Sequence, residues 1–220
     1  MIQIVGIVLF FSLICPASAQ TLVRPGGDKP IWTPLVLRKF DDGTPWKATV
    51  PKEMIASLRV SDVTVPLEED TKLEDMQTRF GGKIGTQGDA ADSLSWLCIY
   101  GSDSAGPWVL WLESGEVDGP YVGAFQWRRV SHSAQFDRRC SALPDTSEVE
   151  LPIDLRLGAA EASVIRTLGR LSSRRANTLL YEHEHNELIR GEEFSSSNTV
   201  IVDVRRGVIW AIQVGKTTTN

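Results

Sequence analysis

Cysteine, histidine and net basic charge are all scarce in this sequence. The 220 residues include three cysteines and three histidines, and 28 Asp and Glu outnumber 23 Lys and Arg, which gives a net charge of −5. A chain without a basic excess has no strong positive field to hold a nucleic-acid backbone, so we expect no nucleic acid partner. Hydrophobic residues make up 42% of the chain, a share typical of folded proteins and not of disordered ones.

Long apolar runs are missing after the first 19 residues. Within them, residues 4–14 are largely apolar, and Ala17 and Ala19 follow just before Gln20. Small residues three and one before a cleavage point are typical of a secretory signal peptide, with a retained membrane anchor as the alternative. We therefore expect residues 1–19 to be removed and the protein to be periplasmic or secreted. We also expect no transmembrane segment in the mature chain.

The cysteines form a single pair once the signal peptide is set aside. Cleavage would remove Cys15 and leave Cys98 and Cys140 in an oxidising compartment. We predict a disulfide bond between these two residues. The alternative is a pair of buried thiols.

Two parts of the chain repeat the same order of elements. Residues 71–81 and 158–169 each have apolar residues at helical spacing and end in glycine. Three predicted strands follow each helix, over 93–100, 108–113 and 122–128 in the first half and over 178–185, 199–204 and 208–214 in the second. We therefore predict an α+β fold of two tandem units, each a short helix followed by an antiparallel meander of three or four strands.

The clearest motif of this repetition is in the second half. It consists of Leu155-Arg156-Leu157-Gly158, a helix through Leu168-Gly169, Tyr181 and the turn Arg206-Gly207-Val208. The tandem order resembles the beta-lactamase inhibitory protein family, and each unit is similar to the small lipoprotein of the outer-membrane β-barrel assembly machine. The resemblance covers about 66–130 and 151–216, and the first half departs from it at Asp70, where the second has Gly158. It implies a protein-binding or inhibitory module without a catalytic centre.

The predicted organisation has five parts. A signal peptide (1–19) precedes an N-terminal extension with short strands (20–65), the first unit (66–130), a connector (131–150) and the second unit (151–220). The first unit has 11 acidic and 5 basic side chains, net −6, whereas the second has 8 and 9, net +1. This balance favours a basic partner for the first unit, unless the acidic surface is simply solvated.

The histidines offer the one cluster of metal-ligand residue types. In the run Tyr181 to His185, strand alternation would place His183 and His185 on one face, spaced to share a metal ion. Two ligands are half of a zinc site, and His132 is the only other histidine in the sequence. A metal-binding protein or metal-dependent hydrolase built on His183 and His185 is therefore the alternative hypothesis, and a polar strand end is the simpler interpretation.

The predicted strands of the first unit point to an interface. Alternation places Trp108 and Trp111 on opposite sheet faces, so one of them is exposed unless the N-terminal extension covers the second face. We predict interface residues at Trp111, Gln126 and Arg128, with Gln213 at the similar position of the second unit. The leading hypothesis is an exported, non-enzymatic protein-binding module without a cofactor, either an inhibitor or immunity protein or an envelope-assembly accessory. Its partner would be another exported or envelope protein.

Overall fold

The computed structural model of the protein describes residues 49–67, 71–88, 93–115, 118–132, 134, 136, 138–144, 147–171, 174, 176–189 and 192–219. The predicted signal peptide lies outside the described residues. Within them the chain forms eleven strands and two helices. In chain order these are β1 (Ser57–Val60), β2 (Val63–Pro66), α1 (Leu73–Phe80), β3 (Gly85–Gln87), β4 (Leu94–Asp103), β5 (Gly106–Gly115), β6 (Ala124–Arg129), β7 (Ser141–Ala142), β8 (Val149–Glu150), α2 (Glu161–Leu168), β9 (Thr178–Ile189), β10 (Glu192–Arg205) and β11 (Val208–Thr219).

One large sheet contains eight of the described strands. Its order is β3-β4-β5-β6-β11-β10-β9, all antiparallel, and β7 adds to β4 in parallel. The pairing of β6 with β11, from Ala124 opposite Gly215 to Arg128 opposite Ala211, joins the two halves of the chain in the middle of this sheet. Strands β9, β10 and β11 are 12 to 14 residues long, twice the length of an average strand.

The predicted α+β fold of two helix-plus-meander units is wrong. The described structure is mostly β: its two helices have eight residues each, and the two halves do not have separate sheets, because β6 pairs with β11. A second, small sheet of β2, β1 and β8 takes strands from the predicted extension and connector. The physical reason is that two separate meanders would each leave an unpaired strand edge, and pairing β6 with β11 satisfies both edges at once.

Both helices and the small sheet pack on one face of the large sheet, which we call the helix face. The cluster there combines Leu73 of α1, Val164 of α2 and Leu58 of β1 with side chains from the large sheet. Those sheet residues include Leu97, Leu112, Phe125, Tyr181, Val200, Ile212 and Val214. The Tyr181 hydroxyl donates to the Gly169 carbonyl oxygen at 2.9 Å, which fixes the end of α2 over β9.

Glycines end both helices where the sequence predicts. Gly81 and Gly169 have φ of 78° and 102°, and their backbone N–H groups donate to the carbonyl oxygens of Gln77 and Ile165. Such φ values favour glycine, because a Cβ would be strained there. Each helix is therefore limited to about two turns.

The opposite face of the large sheet, which we call the second face, has its own apolar cluster. Cys98 and Cys140 form a disulfide bond there, so this prediction is confirmed. Trp96, Val109 and Trp111 pack beside the disulfide. Among the residues that the structure describes, no helix is long and apolar enough to cross a membrane.

Candidate binding pocket on the second face

A row of paired residues crosses the second face where the two halves meet. Trp111 of β5 lies opposite Gln126 of β6, Gln126 opposite Gln213 of β11, and Gln213 opposite Ile201 of β10. The next row on the same face places Arg128, Ala211 and Asp203 side by side on β6, β11 and β10. Two rows on three central strands therefore present amide, guanidinium and carboxylate groups within a small area.

These rows form the floor of a pocket of about 240 Å³. Ala211 lies between Arg128 and Asp203, and its methyl group leaves a depression between the two longer side chains. The described residues that line the pocket are Gln126, Arg128, Ile201, Asp203, Arg205, Trp210, Ala211 and Gln213. Pockets at the junction of two structural halves are common ligand sites.

A β-bulge brings Trp210 to the rim. The β10–β11 register runs from Asp203 opposite Ala211 to Val204 opposite Ile209, so Trp210 has no partner residue on β10. Bulges re-aim side chains in this way. The Arg205 guanidinium carbon lies 4.6 Å from the centroid of the Trp210 ring, a cation–π distance that fixes both groups beside the pocket.

Two hydrogen-bond donors of the pocket are buried and unsatisfied. Arg128 Nε and Trp210 Nε1 are enclosed without an acceptor. A buried polar group without a partner costs about 1–3 kcal/mol. Burial lowers the pKa of Arg128, and the nearby charge of Arg205 lowers it further, while Asp203 acts in the opposite direction. The site is therefore short of negative charge and of hydrogen-bond acceptors.

Asp203 is oriented by a neighbour on the next strand. Its Oδ1 accepts a hydrogen bond of 2.7 Å from the Thr178 hydroxyl of β9. The two residues are direct partners in the β9–β10 pair. This contact turns the Asp203 carboxylate towards β9, whereas Arg128 lies two strands away on β6.

The structure brings together three of the four predicted interface residues. Gln126, Arg128 and Gln213 all line the pocket, and both glutamines are 4% exposed. Trp111 is the next residue of the same row but is 2% exposed and packs in the apolar cluster of the second face. Trp108, its neighbour on the other face, is 1% exposed, so both faces of β5 are covered.

Sequence reasoning missed Asp203, Arg205 and Trp210. Arg205 lies in the turn between the predicted strands 199–204 and 208–214, and plain strand alternation places Trp210 on the same face as Ile212 and Val214. The bulge reverses that assignment, because Ile209 and not Trp210 joins the helix-face core. The only available signal was a tryptophan three residues after the arginine-rich turn at 205–207.

The two predicted metal ligands lie elsewhere, on the helix face in the middle of β9. The His183 and His185 rings stack with centroids 5.2 Å apart. His185 Nδ1 and Asn198 Oδ1 are buried there without hydrogen-bond partners. Across the described part of the chain, no group of three or more His, Cys, Asp or Glu is placed to hold a metal ion. The pair therefore remains two potential ligands, as in the sequence.

A larger groove of about 550 Å³ lies beside β8 on the helix face. Its central cation, Arg129, is already bound: it contacts Asp103 at 2.7 Å and donates to the carbonyl oxygens of Gly106 at 2.6 Å and Leu157 at 3.3 Å. These contacts tie the β4–β5 turn to the loop before α2. Arg129 Nε and Trp127 Nε1, which line the groove, are also buried without an acceptor. The arginine of the groove already faces a carboxylate, Asp103, whereas Arg128 forms no ion pair among the residues that the structure describes, so we take the pocket of the second face as the candidate site.

Comparisons of the chain with protein-family models, with curated proteins and with solved structures give no match. The resemblance to the inhibitory and assembly proteins stays a prediction, and the function has to be argued from the site.

Proposed function

We propose that the protein is an exported, non-enzymatic module that binds another protein of the envelope or the secreted fraction. The second face of the large sheet is the binding surface, and the pocket at the β6–β11 junction is its centre. An inhibitor or immunity protein and an envelope-assembly accessory are two versions of this function, and they differ only in the partner.

One observation carries the proposal. Gln126, Arg128 and Gln213, chosen from the sequence as interface residues, line a single pocket whose Arg128 and Trp210 donors lack acceptors. Natural folds keep few unsatisfied buried donors, and each of them calls for an explanation, for which we propose an acceptor group supplied by a partner. Interface hot spots are likewise enriched in Arg and Trp within enclosed pockets.

The disulfide supports export. Cys98 is 1% exposed and bonded to Cys140, and structural disulfides persist in oxidising compartments and are rare in reducing ones. A covalent link between β4 and the start of β7 also stiffens the second face beside the pocket. A stiff binding surface loses less conformational entropy when a partner docks.

Site-specific photo-crosslinking tests the proposal. A photoreactive amino acid replaces Arg206, an exposed residue next to the rim residue Arg205. The matched control replaces Arg166, an exposed residue of α2 on the other face of the sheet. Both proteins are exposed to envelope and secreted-protein extracts and irradiated.

We expect one saturable crosslinked protein from position 206 and none from position 166. Unlabelled wild-type protein should compete with it. The same product from both positions, or products that do not saturate, would contradict a specific partner at the second face. The identity of a saturable partner then separates the inhibitor from the assembly accessory.

A further inference from the structure

We infer that the pocket of the second face binds a carboxylate, supplied by an acidic side chain on the surface of the partner protein. This inference rests on the proposed function, because it names the chemical group that the partner places in the pocket.

The unsatisfied donors give the first argument. Arg128 Nε and Trp210 Nε1 are both N–H groups, so a ligand has to bring acceptors and not donors. Arg205 is held against the Trp210 ring, which places a second guanidinium at the same rim. Arginine recognises carboxylates through paired N–H donors, and such charge-assisted bonds are about twice as strong as neutral ones.

Charge gives the second argument. Arg128 and Arg205 bring two positive charges and Asp203 brings one negative charge, so the pocket has a net charge of +1. A single carboxylate balances this charge. A phosphate group, which carries about −1.5 to −2 at neutral pH, would overcompensate this charge.

Size gives the third argument. A pocket of about 240 Å³ has room for the end of an Asp or Glu side chain and several waters. The small Ala211 at the floor is what leaves the space open.

The pocket charge contrasts with the charge of the surrounding chain. Residues 66–130 have a net charge of −6, which favours a basic partner, yet the pocket joins Arg128 of this half to Arg205 of the other. An acidic group that enters is therefore steered to one positive point within an acidic surface. This arrangement favours selective binding over general attraction.

Acetate is the probe that tests the inference in the ¹⁵N-labelled, disulfide-bonded protein. It is titrated at pH 7 against sodium chloride of equal ionic strength and against inorganic phosphate. The readouts are the NMR signals of Trp210 Nε1–H and Arg128 Nε–H, assigned with Trp210→Phe and Arg128→Lys. We expect both signals to shift saturably with acetate, at least tenfold less affinity for phosphate, and no saturable shift with chloride.

Two variants make the test specific. Ala211→Leu fills the floor of the pocket and should abolish the acetate shifts, whereas Thr217→Leu, on the same strand and face but outside the pocket, should keep them. If Ala211→Leu does not fold, Arg128→Gln removes the charge at similar size and should abolish acetate binding as well. Shifts that persist in Arg128→Gln, tighter binding of phosphate, or equal shifts with chloride would each overturn the inference.

The crosslinking experiment separates this inference from the proposed function. We expect saturating acetate and the Arg128→Gln substitution each to suppress the crosslink at position 206. A specific crosslink that neither acetate nor Arg128→Gln suppresses would contradict the carboxylate inference but would still support a protein partner. Acetate binding without any specific crosslink would instead overturn the binding-module proposal and point to a free carboxylic acid as the ligand.

Discussion

Glu113 lies near the end of β5 and Asp118 lies just beyond that strand, and the Asp118 charge acts on the fully enclosed carboxyl group of Glu113. Neither side-chain oxygen of Glu113 has a hydrogen-bond partner. The pKa of Glu113 is raised well above its ordinary value, first by burial and then by the charge of Asp118. Asp118 Oδ2 accepts a bond of 2.7 Å from the Gly115 N–H, which places its charge beside the end of β5. The folded state therefore binds the Glu113 proton more tightly than the unfolded chain does.

Replacement of Glu113 by Gln should change the pH dependence of stability. In the wild type the free energy of unfolding should fall as the pH rises from the ordinary pKa of Glu through the raised pKa of Glu113, by up to about 1.4 kcal/mol per pH unit. Glu113→Gln has a side chain of the same shape that cannot ionise, so it should flatten this fall. Urea unfolding at pH 5, 6, 7 and 8 measures the difference between the two proteins.

An exposed acid gives the control for this prediction. Glu74→Gln, on the outer side of α1, should leave the wild-type pH dependence unchanged. Parallel curves for wild type and Glu113→Gln across the whole range would show that the Glu113 carboxyl is solvated.

Truncation of Trp111 should lower the stability of the protein, because the side chain is part of the apolar cluster and not of an exposed binding surface. The side chain is 2% exposed and packs with Trp96, Val109 and the disulfide, so Trp111→Ala should cost about 3–5 kcal/mol of unfolding free energy. Trp111→Phe keeps most of the packing and should cost clearly less. Thermal unfolding measures both, and a Trp111→Ala protein with unchanged stability but lost crosslinking would restore Trp111 as a direct partner contact.

Local patterns predicted many of the strands, because the alternation of side chains along a strand is visible in its own sequence. The run Trp108 to Glu113 lies in β5, and the predicted 178–185 and 208–214 lie in β9 and β11. The pairing of strands that are far apart in the chain has no such local signal. The contact of Gln126 with Gln213 joins residues far apart in the chain, and no periodicity in either strand specifies which edge the other will meet.

The candidate site was predictable to the same extent. Gln126 and Gln213 could be chosen because they are polar residues at matching positions of two strands, and Arg128 lies two residues further along the first of these strands. The rest of the pocket depends on one extra residue in β11, which turns Trp210 away from the core and towards Arg205. A bulge has no reliable signature in a single sequence, and so the rim that supplies the unsatisfied donor could not be foreseen.

Removal of the disulfide should destabilise the protein without changing its fold. The bond closes a loop with a sequence separation of 42, for which the chain-entropy model gives about 4 kcal/mol. We expect Cys98→Ala combined with Cys140→Ala to lose free energy of unfolding of this order, measured by urea unfolding. Wild type in reductant should match the double variant, and reductant should have no further effect on that variant. Equal stability of oxidised wild type and double variant would contradict the argument.

The histidine pair gives the final prediction, which separates the binding module from its metal-dependent alternative. Under the proposed function, His183→Ala with His185→Ala should leave the crosslink at position 206 unchanged, because both rings are on the helix face and the pocket is on the second face. The stacked rings and the unpartnered Asn198 Oδ1 could still hold a metal ion weakly, so zinc binding by wild type and by the double variant is measured by calorimetry. Zinc bound at one equivalent by wild type and lost in the variant, together with a crosslink that depends on zinc, would favour the metal-binding protein. A crosslink that is independent of both zinc and the two histidines would leave the carboxylate pocket as the functional centre.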